Sequence, residues 1–218
     1  MAASVWSKES ARRLIGGRVL IGDVMSAEPL LLREDMRLEP AIELLVGHGY
    51  SGAPVMTERG QLGGMLHALD VAIMHLPMDS ATPRPPRHIL VREICREAVT
   101  ISPARPMGAA AARMRAHGTD RLVVVDRSGH VVGVVTGHDL LRTVAERGDL
   151  LREIVDERVA ALDMPGVRAT VDFSGTVLLT GSVDSQADRG RLVRTIGSLD
   201  GVTEVDELVA IAGDPQVS

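Results

Sequence analysis

Aromatic side chains are nearly absent from the 218-residue chain: Trp6, Tyr50 and Phe173 are all it has. A nucleic-acid platform built by stacking bases on rings has almost no material here, so no nucleic-acid partner is expected. Cysteine is as scarce. Cys95 stands alone, so one chain can form no disulfide and complete no cysteine-based zinc site, and a reducing compartment is the simpler setting. Long apolar runs are missing too. Leu122–Val125 and Val131–Val135 fall far short of the roughly 20 residues a membrane helix needs. Near the start, Arg18 and Asp23 interrupt what would be the apolar region of a signal peptide. The expectation is a cytoplasmic protein. Lys8 is the single lysine among 24 basic residues, which points to the codon usage of a GC-rich bacterial genome rather than to a chemical need.

What is present is enough for a core. Hydrophobic residues make up 45% and charged residues 24% of the chain, unlike a disordered polar tract. The net charge of −5 is unevenly spread: residues 150–218 hold six Arg against twelve Asp plus Glu, giving −6, which leaves +1 for residues 1–149. That acidic end suits neither phosphate backbones nor anionic lipid. Catalytic signatures are lacking. No Ser or Cys sits in a nucleophile elbow, no His/Asp/Glu cluster has metal spacing, and no Walker A loop or Gly-x-Gly-x-x-Gly occurs. The expectation is a non-enzyme with no catalytic residues, no metal and no obligatory cofactor.

The strongest signal is internal repetition. A shift of 69 superposes Ala41 on Ala110, His48 on His117, Gly49 on Gly118, Val55 on Val124, Gly60 on Gly129, Gly64 on Gly133 and Asp70 on Asp139. Each copy reads as a short strand, a helix ending in His-Gly, two apolar strands joined by a Gly turn, and a helix opened by Asp. In the second copy Thr100-Ile101 ends an extended segment, and Ser102-Pro103 resembles an N-cap with proline at the first helical position. Gly118 is placed to stop that helix in the left-handed conformation. Leu122–Val125 and Val131–Val135 form a hairpin, and a helix opened by Thr136-Gly-His-Asp139 runs to about Arg147, with Gly148 as its stop. The first copy repeats the plan with strands at Leu30–Leu32, Ala53–Met56 and Gly63–Leu66 and helices over Glu39–His48 and Asp70–His75. Between the copies, Pro77, Pro83, Pro85 and Pro86 mark a stiff linker.

Taken alone, Thr136 and Asp139 read as a capping box, the hydroxyl accepting from the amide three residues on while the acid reaches back. They stand in a setting of Asp23-Val24-Met25, Gly49-Tyr-Ser-Gly-Ala-Pro54-Val55, Gly118-Thr-Asp-Arg-Leu-Val123-Val124 and Gly133-Val-Val-Thr136-Gly-His-Asp139. Carried by these motifs, the stretch over about residues 20–147 resembles a pair of cystathionine-β-synthase (CBS) domains, the Bateman module. The resemblance implies a regulatory module in which the Asp of the last motif chelates the ribose hydroxyls of an adenosyl ligand, AMP, ADP, ATP or similar. A carboxylate can accept two hydroxyl hydrogen bonds, and a helix N-terminus favours phosphate. The positions that match a main site are Thr100, Thr119, Asp120, Arg121, Leu122, Val123, Thr136 and Asp139. A weaker second site falls on Tyr50, Ala53, Pro54, His67 and Asp70, because His67 replaces the Thr and Leu31 replaces the position of Thr100. The resemblance also implies a homodimer formed through the repeats.

Beyond the repeats, Leu151, Ile154, Val155, Val159 and Leu162 make one side of an amphipathic helix over Leu150–Leu162 that Pro165-Gly166 ends. Strands over Val167–Phe173 and Val177–Val183, a helix capped by Ser185 and running through Leu199, and a last strand over Val202–Ile211 complete an α-β-β-α-β order. This order, with Gly181 late in its strand and Gly201-Val202-Thr-Glu-Val205, resembles a BON domain. Arg191 and Arg194 lie three apart on its helix and read as an ordinary solvated face. A protein partner is expected for this domain. The alternative is a membrane- or envelope-associated adaptor in which the BON-like domain binds phospholipid or protein and the CBS pair only dimerises. The expected fold class is α+β, laid out as an extension (1–19), first repeat (20–76), linker (77–90), second repeat (91–147), BON-like domain (150–212) and tail (213–218).

Overall fold

The structure, a computed structural model, describes residues 15–16, 19–75 and 88–212. It is α+β and divides into two compact units, one over Leu20–Leu140 and a second that takes in, of the described residues, 15–16, 19 and 141–212.

The first unit begins with a single helical turn, α1 (Ile21–Val24), and two short strands, β1 (Ser26–Ala27) and β2 (Leu32–Arg33). Helix α2 (Leu38–His48), the hairpin β3 (Gly52–Met56) and β4 (Leu62–His67), and α3 (Ala68–His75) complete the first copy. The second follows with a 3-10 turn (Val91–Glu93), β5 (Thr100–Ile101), α4 (Met107–His117), β6 (Arg121–Val125), β7 (Val131–Thr136) and the start of α5 (Gly137–Ala161). Gly118 ends α4 at φ 60° as the sequence predicts. The start of that helix differs. Ser102-Pro103 lies in a turn and the helix begins at Met107, because Pro106 forces Arg105 out of the helical region and no helix can run through it.

The repeats exchange their opening segments. β1 pairs antiparallel with β7 of the second copy, Ser26 opposite Val134. In return Arg96 bridges Met65 on β4, with N–H···O bonds of 2.9 and 2.8 Å in the two directions. Two glycines permit the crossing. A Cβ on Gly64 would lie 2.6 Å from the Arg96 carbonyl oxygen, and one on Gly133 would lie 2.6 Å from Met25 Sδ and 2.9 Å from the Ser26 carbonyl oxygen. These are a matched pair in the 69-residue shift, so that identity has a steric cause. The first copy's core gathers Leu32, Leu38, Ala41, Leu45, Val55, Leu66 and Val71 with Ile89 and Val91. Of the proline-rich stretch 77–90, residues 77–87 lie outside the described residues, as does the tail 213–218. The described end of that stretch packs into the first copy: Leu38 N–H donates to the Ile89 carbonyl at 2.9 Å.

Gly148 does not stop the helix. α5 runs unbroken through it, since one interior glycine costs only about 1 kcal/mol against alanine and the apolar face continues on both sides. The later turns of α5 supply Leu151, Val155 and Val159 to the core of the second unit. There β8 (Val167–Val171) and β9 (Thr176–Val183) form a hairpin, and β10 (Glu204–Ile211) returns parallel to β9 after α6 (Gln186–Gly197), in the order β10-β9-β8. Ser185 caps α6 as expected, accepting the Asp188 N–H at 3.1 Å. Ile15, which the sequence assigns to a mere extension, is buried in this same core.

Candidate functional site

The Thr-x-x-Asp ending of the second copy sits where β7 hands over to α5. Asp139 Oδ2 accepts the Thr136 N–H at 2.9 Å and the Thr136 hydroxyl at 2.7 Å, and Asp139 N–H donates to Thr136 Oγ1 at 3.2 Å. The local motif is therefore a capping box. Asp139 is only 6% exposed, yet it lines an open cleft of about 320 Å3 together with Thr136, His138, Tyr50, Pro54 and the segment Ala27–Leu30.

In the first copy His67 offers no hydroxyl to close such a box. Asp70 instead forms an ion pair with Arg96 from the second copy. Both line a larger cleft, about 560 Å3, with His67, His117, Glu97, Val99, Thr119, Asp120, Arg121 and Val123. Burial and the nearby Arg121 guanidinium push the His67 imidazole below its usual value, with Asp70 and Asp120 acting the other way.

Arg121 stands at the junction and lines both clefts. Only 7% exposed, it donates to both carboxylate oxygens of Asp120 at 2.9 Å and to Ser51 Oγ at 2.8 Å. That fork holds the Asp120 carboxyl below the usual carboxylate range. Its guanidinium lies where a side chain at residue 52 would go: a Cβ on Gly52 would be 2.7 Å from Arg121 Nη1. Arg121, expected at the main site, is thus a buried cation paired with Asp120 that lines both clefts.

The grouping of site residues by copy needs correction. Thr119, Asp120 and Val123 face Asp70 and His67, whereas Tyr50 and Pro54 face Thr136 and Asp139. The crossed segments explain this, because each copy's entry strand lies on the other copy's sheet. Three expected residues line neither cleft. Leu122 and Ala53 are buried in the sheets and Thr100 pairs with Val123 on β5. Arg96, Ser51, His138 and Ala27–Leu30 were not singled out by sequence. Arg96 and Ala27 reach their clefts only through the strand exchange, which leaves no local signature. Among the described residues no group of His, Cys, Asp and Glu is arranged to hold a metal ion, and no helix is long and apolar enough to cross a membrane.

The displaced His67 titration has a stability consequence. An unfolded imidazole takes its proton near 6.5, and the folded one does so at lower pH. Below pH 6.5 the unfolded chain binds more protons, so the stability present above that value is lost as the pH falls through the folded pKa. His67→Gln is expected to flatten the decline of the urea midpoint between about pH 7 and pH 5. An unchanged decline in the variant would remove His67 as its source.

The sequence pattern of the CBS domain matches residues 21–73 and 91–146, and that of the BON domain matches 148–213. Among curated relatives, a homoserine O-acetyltransferase of Methanocorpusculum labreanum is 28% identical over 120 residues, 55% of this chain and 23% of that protein. The chain thus spans less than a quarter of that relative's length. Among solved structures, the CBS domain of a CBS domain containing membrane protein from Sphaerobacter thermophilus is 27% identical with a TM-score of 0.50, covering 62% of this chain and 93% of that one. CBSX2 in complex with AMP is 21% identical with a TM-score of 0.50, covering 58% of this chain and 96% of that one, and shares the fold.

Proposed function

The chain belongs to the CBS-domain family, two CBS domains followed by a BON domain, and from that premise we propose that it is a non-catalytic sensor of an adenine nucleotide. The observation that carries this reading is the Asp139 carboxylate, oriented by its own cap at the wall of an open cleft. The carboxylate that accepts from the Thr136 N–H and hydroxyl at the helix start is also, in this proposal, the group that a ribose diol meets, since carboxylate oxygens accept from hydroxyls. The first turn of α5 lies beside it with amides suited to phosphate, and Tyr50 and Pro54 supply apolar surface for a base. CBSX2, of the same fold, holds AMP, which supports an adenine ligand here.

The Asp70 cleft is the weaker site in this proposal, because Arg96 already pairs with Asp70 and competes with a diol there. Occupancy is relayed through packing of the repeats or through the BON domain. Helix α5 supports the second route: it starts at the Asp139 cleft and its later turns belong to the BON core. Homodimerisation through the repeats is supported by exposed Val46, Leu69 and Ile73 and by an apolar groove between α2 and α3.

A thermal-shift series with AMP, ADP, ATP, S-adenosylmethionine and NAD tests the reading. A ligand selective for the folded state adds about 2.7 kcal/mol at a hundred times its dissociation constant, so at least one of the series is expected to raise the melting temperature by several degrees. Absence of any shift, together with no heat of binding by calorimetry, would end the sensor proposal.

A further inference from the structure

The BON sheet, ordered β10-β9-β8, leaves β8 on an edge. Its register sets Arg168 opposite Thr180 and Thr170 opposite Leu178, and Ser182 N–H donates to the Gly166 carbonyl at 3.1 Å. Hydrogen-bonded pairs alternate along an antiparallel ladder, so Arg168 and Thr170 bond to β9. The N–H and C=O groups of Ala169 and Val171, and the C=O of Val167, point away from the sheet. Among the described residues only the Val167 N–H turns back, to the Met164 carbonyl at 3.0 Å.

Native edges are guarded by proline, bulges or like charges. β8, Val-Arg-Ala-Thr-Val, has no proline and its pairing with β9 shows no irregularity. The opposite edge is guarded, since β10 carries Glu204, Asp206 and Glu207. Beside β8 lies an open trench of about 620 Å3, walled by Val159, Ala160, Met164 and Pro165, so the strand is reachable from solvent.

We propose that β8 pairs with β8 of a second copy, antiparallel about a two-fold axis through Ala169, joining two three-stranded sheets into one. The outward groups fit that register. Ala169 bonds reciprocally with the partner's Ala169, and the Val171 N–H donates to the carbonyl of the partner's Val167. On the exposed face Arg168 stands opposite the partner's Thr170, with the partner's Asp172 on one diagonal, within reach of a long side chain, and the partner's Arg168 on the other. The two-fold axis makes the pair of Arg168 with the partner's Asp172 twice. This interface is independent of the one proposed for the repeats.

Sedimentation of the full chain over a concentration series, with three variants, tests it. Proline at an edge position whose N–H faces outward leaves the β8-β9 ladder intact, so Ala169→Pro should abolish one association step while the circular dichroism and the melt are retained. Arg168→Asp, which sets like charges together, should weaken that step about tenfold. In a Cys95→Ser background, Ala169→Cys should oxidise to a dimer linked through residue 169, since opposite Cα atoms lie about 5.5 Å apart. Thr170→Cys, whose counterpart is displaced along the strand, should not. Equal association of wild type and Arg168→Asp with no 169–169 cross-link overturns the proposal, as does a chain that stays monomeric throughout. If Ala169→Pro fails to fold, the cross-link alone decides.

Discussion

Asp139→Ala is expected to lower the affinity for adenine nucleotide at least a hundredfold while costing the fold only about 1 kcal/mol. Two hydrogen bonds from a ribose diol to a carboxylate are worth about 1.5–3 kcal/mol each, so even the low end of that range exceeds two decades in affinity. The smaller structural cost comes from the cap, because the same carboxylate accepts the Thr136 N–H and hydroxyl. The two effects separate with Thr136→Ala, which removes the hydroxyl from the cap and leaves the acid in place. That variant should lose a similar amount of stability and much less affinity. Isothermal calorimetry on the wild type and both variants decides the matter. Equal affinity in Asp139→Ala would remove the assigned ribose contact, and equal loss in both variants would mean that the cap, not the acid, organises the cleft.

Local chemistry was legible in the sequence and long-range crossing was not. Gly118 and Ser185 announce their roles within three residues, and the structure has the left-handed stop and the cap at those places. Ser102-Pro103 carries an equally good local signal and fails, because Pro106 acts over the same few residues and overrides it. Gly148 fails for the opposite reason: an apolar face extending from Leu140 past Leu151 outweighs one glycine's preference. The two clefts show the larger gap. Thr-x-x-Asp and the Gly-Tyr-Ser-Gly segment are visible as motifs, but which of them face each other depends on β1 pairing with β7 and Arg96 bridging Met65. No periodicity encodes that exchange. Its sequence trace is steric, the pair Gly64 and Gly133, and a glycine identity reads equally well as a turn until the opposing backbone is seen.

The same distinction between a turn glycine and a contact glycine predicts a severe effect at Gly181. This residue lies inside β9 at φ 114°, and a Cβ there would stand 1.9 Å from the Gly166 carbonyl oxygen and 3.0 Å from its carbon. The obstructing atoms are backbone, so no side chain can swing aside. Moving them would part β9 from the start of β8, where Ser182 N–H bonds to Gly166 at 3.1 Å. Backbone strain of about 1–3 kcal/mol and overpacking of a similar size add to roughly 4 kcal/mol for Gly181→Ala, a large part of what a small domain has to lose. The BON transition should fall by about 20 °C in calorimetry of the full chain, or disappear. A fitting control is Gly197→Ala in α6, where the new Cβ would meet Val205 at an ordinary 3.7 Å and better helix propensity should leave the melt unchanged or slightly raised. The nucleotide-induced shift of the CBS pair should survive in both variants. If Gly181→Ala melts with the wild type, β9 can yield at that point, and the close approach of Gly166 and Gly181 is not what holds β8 against the sheet.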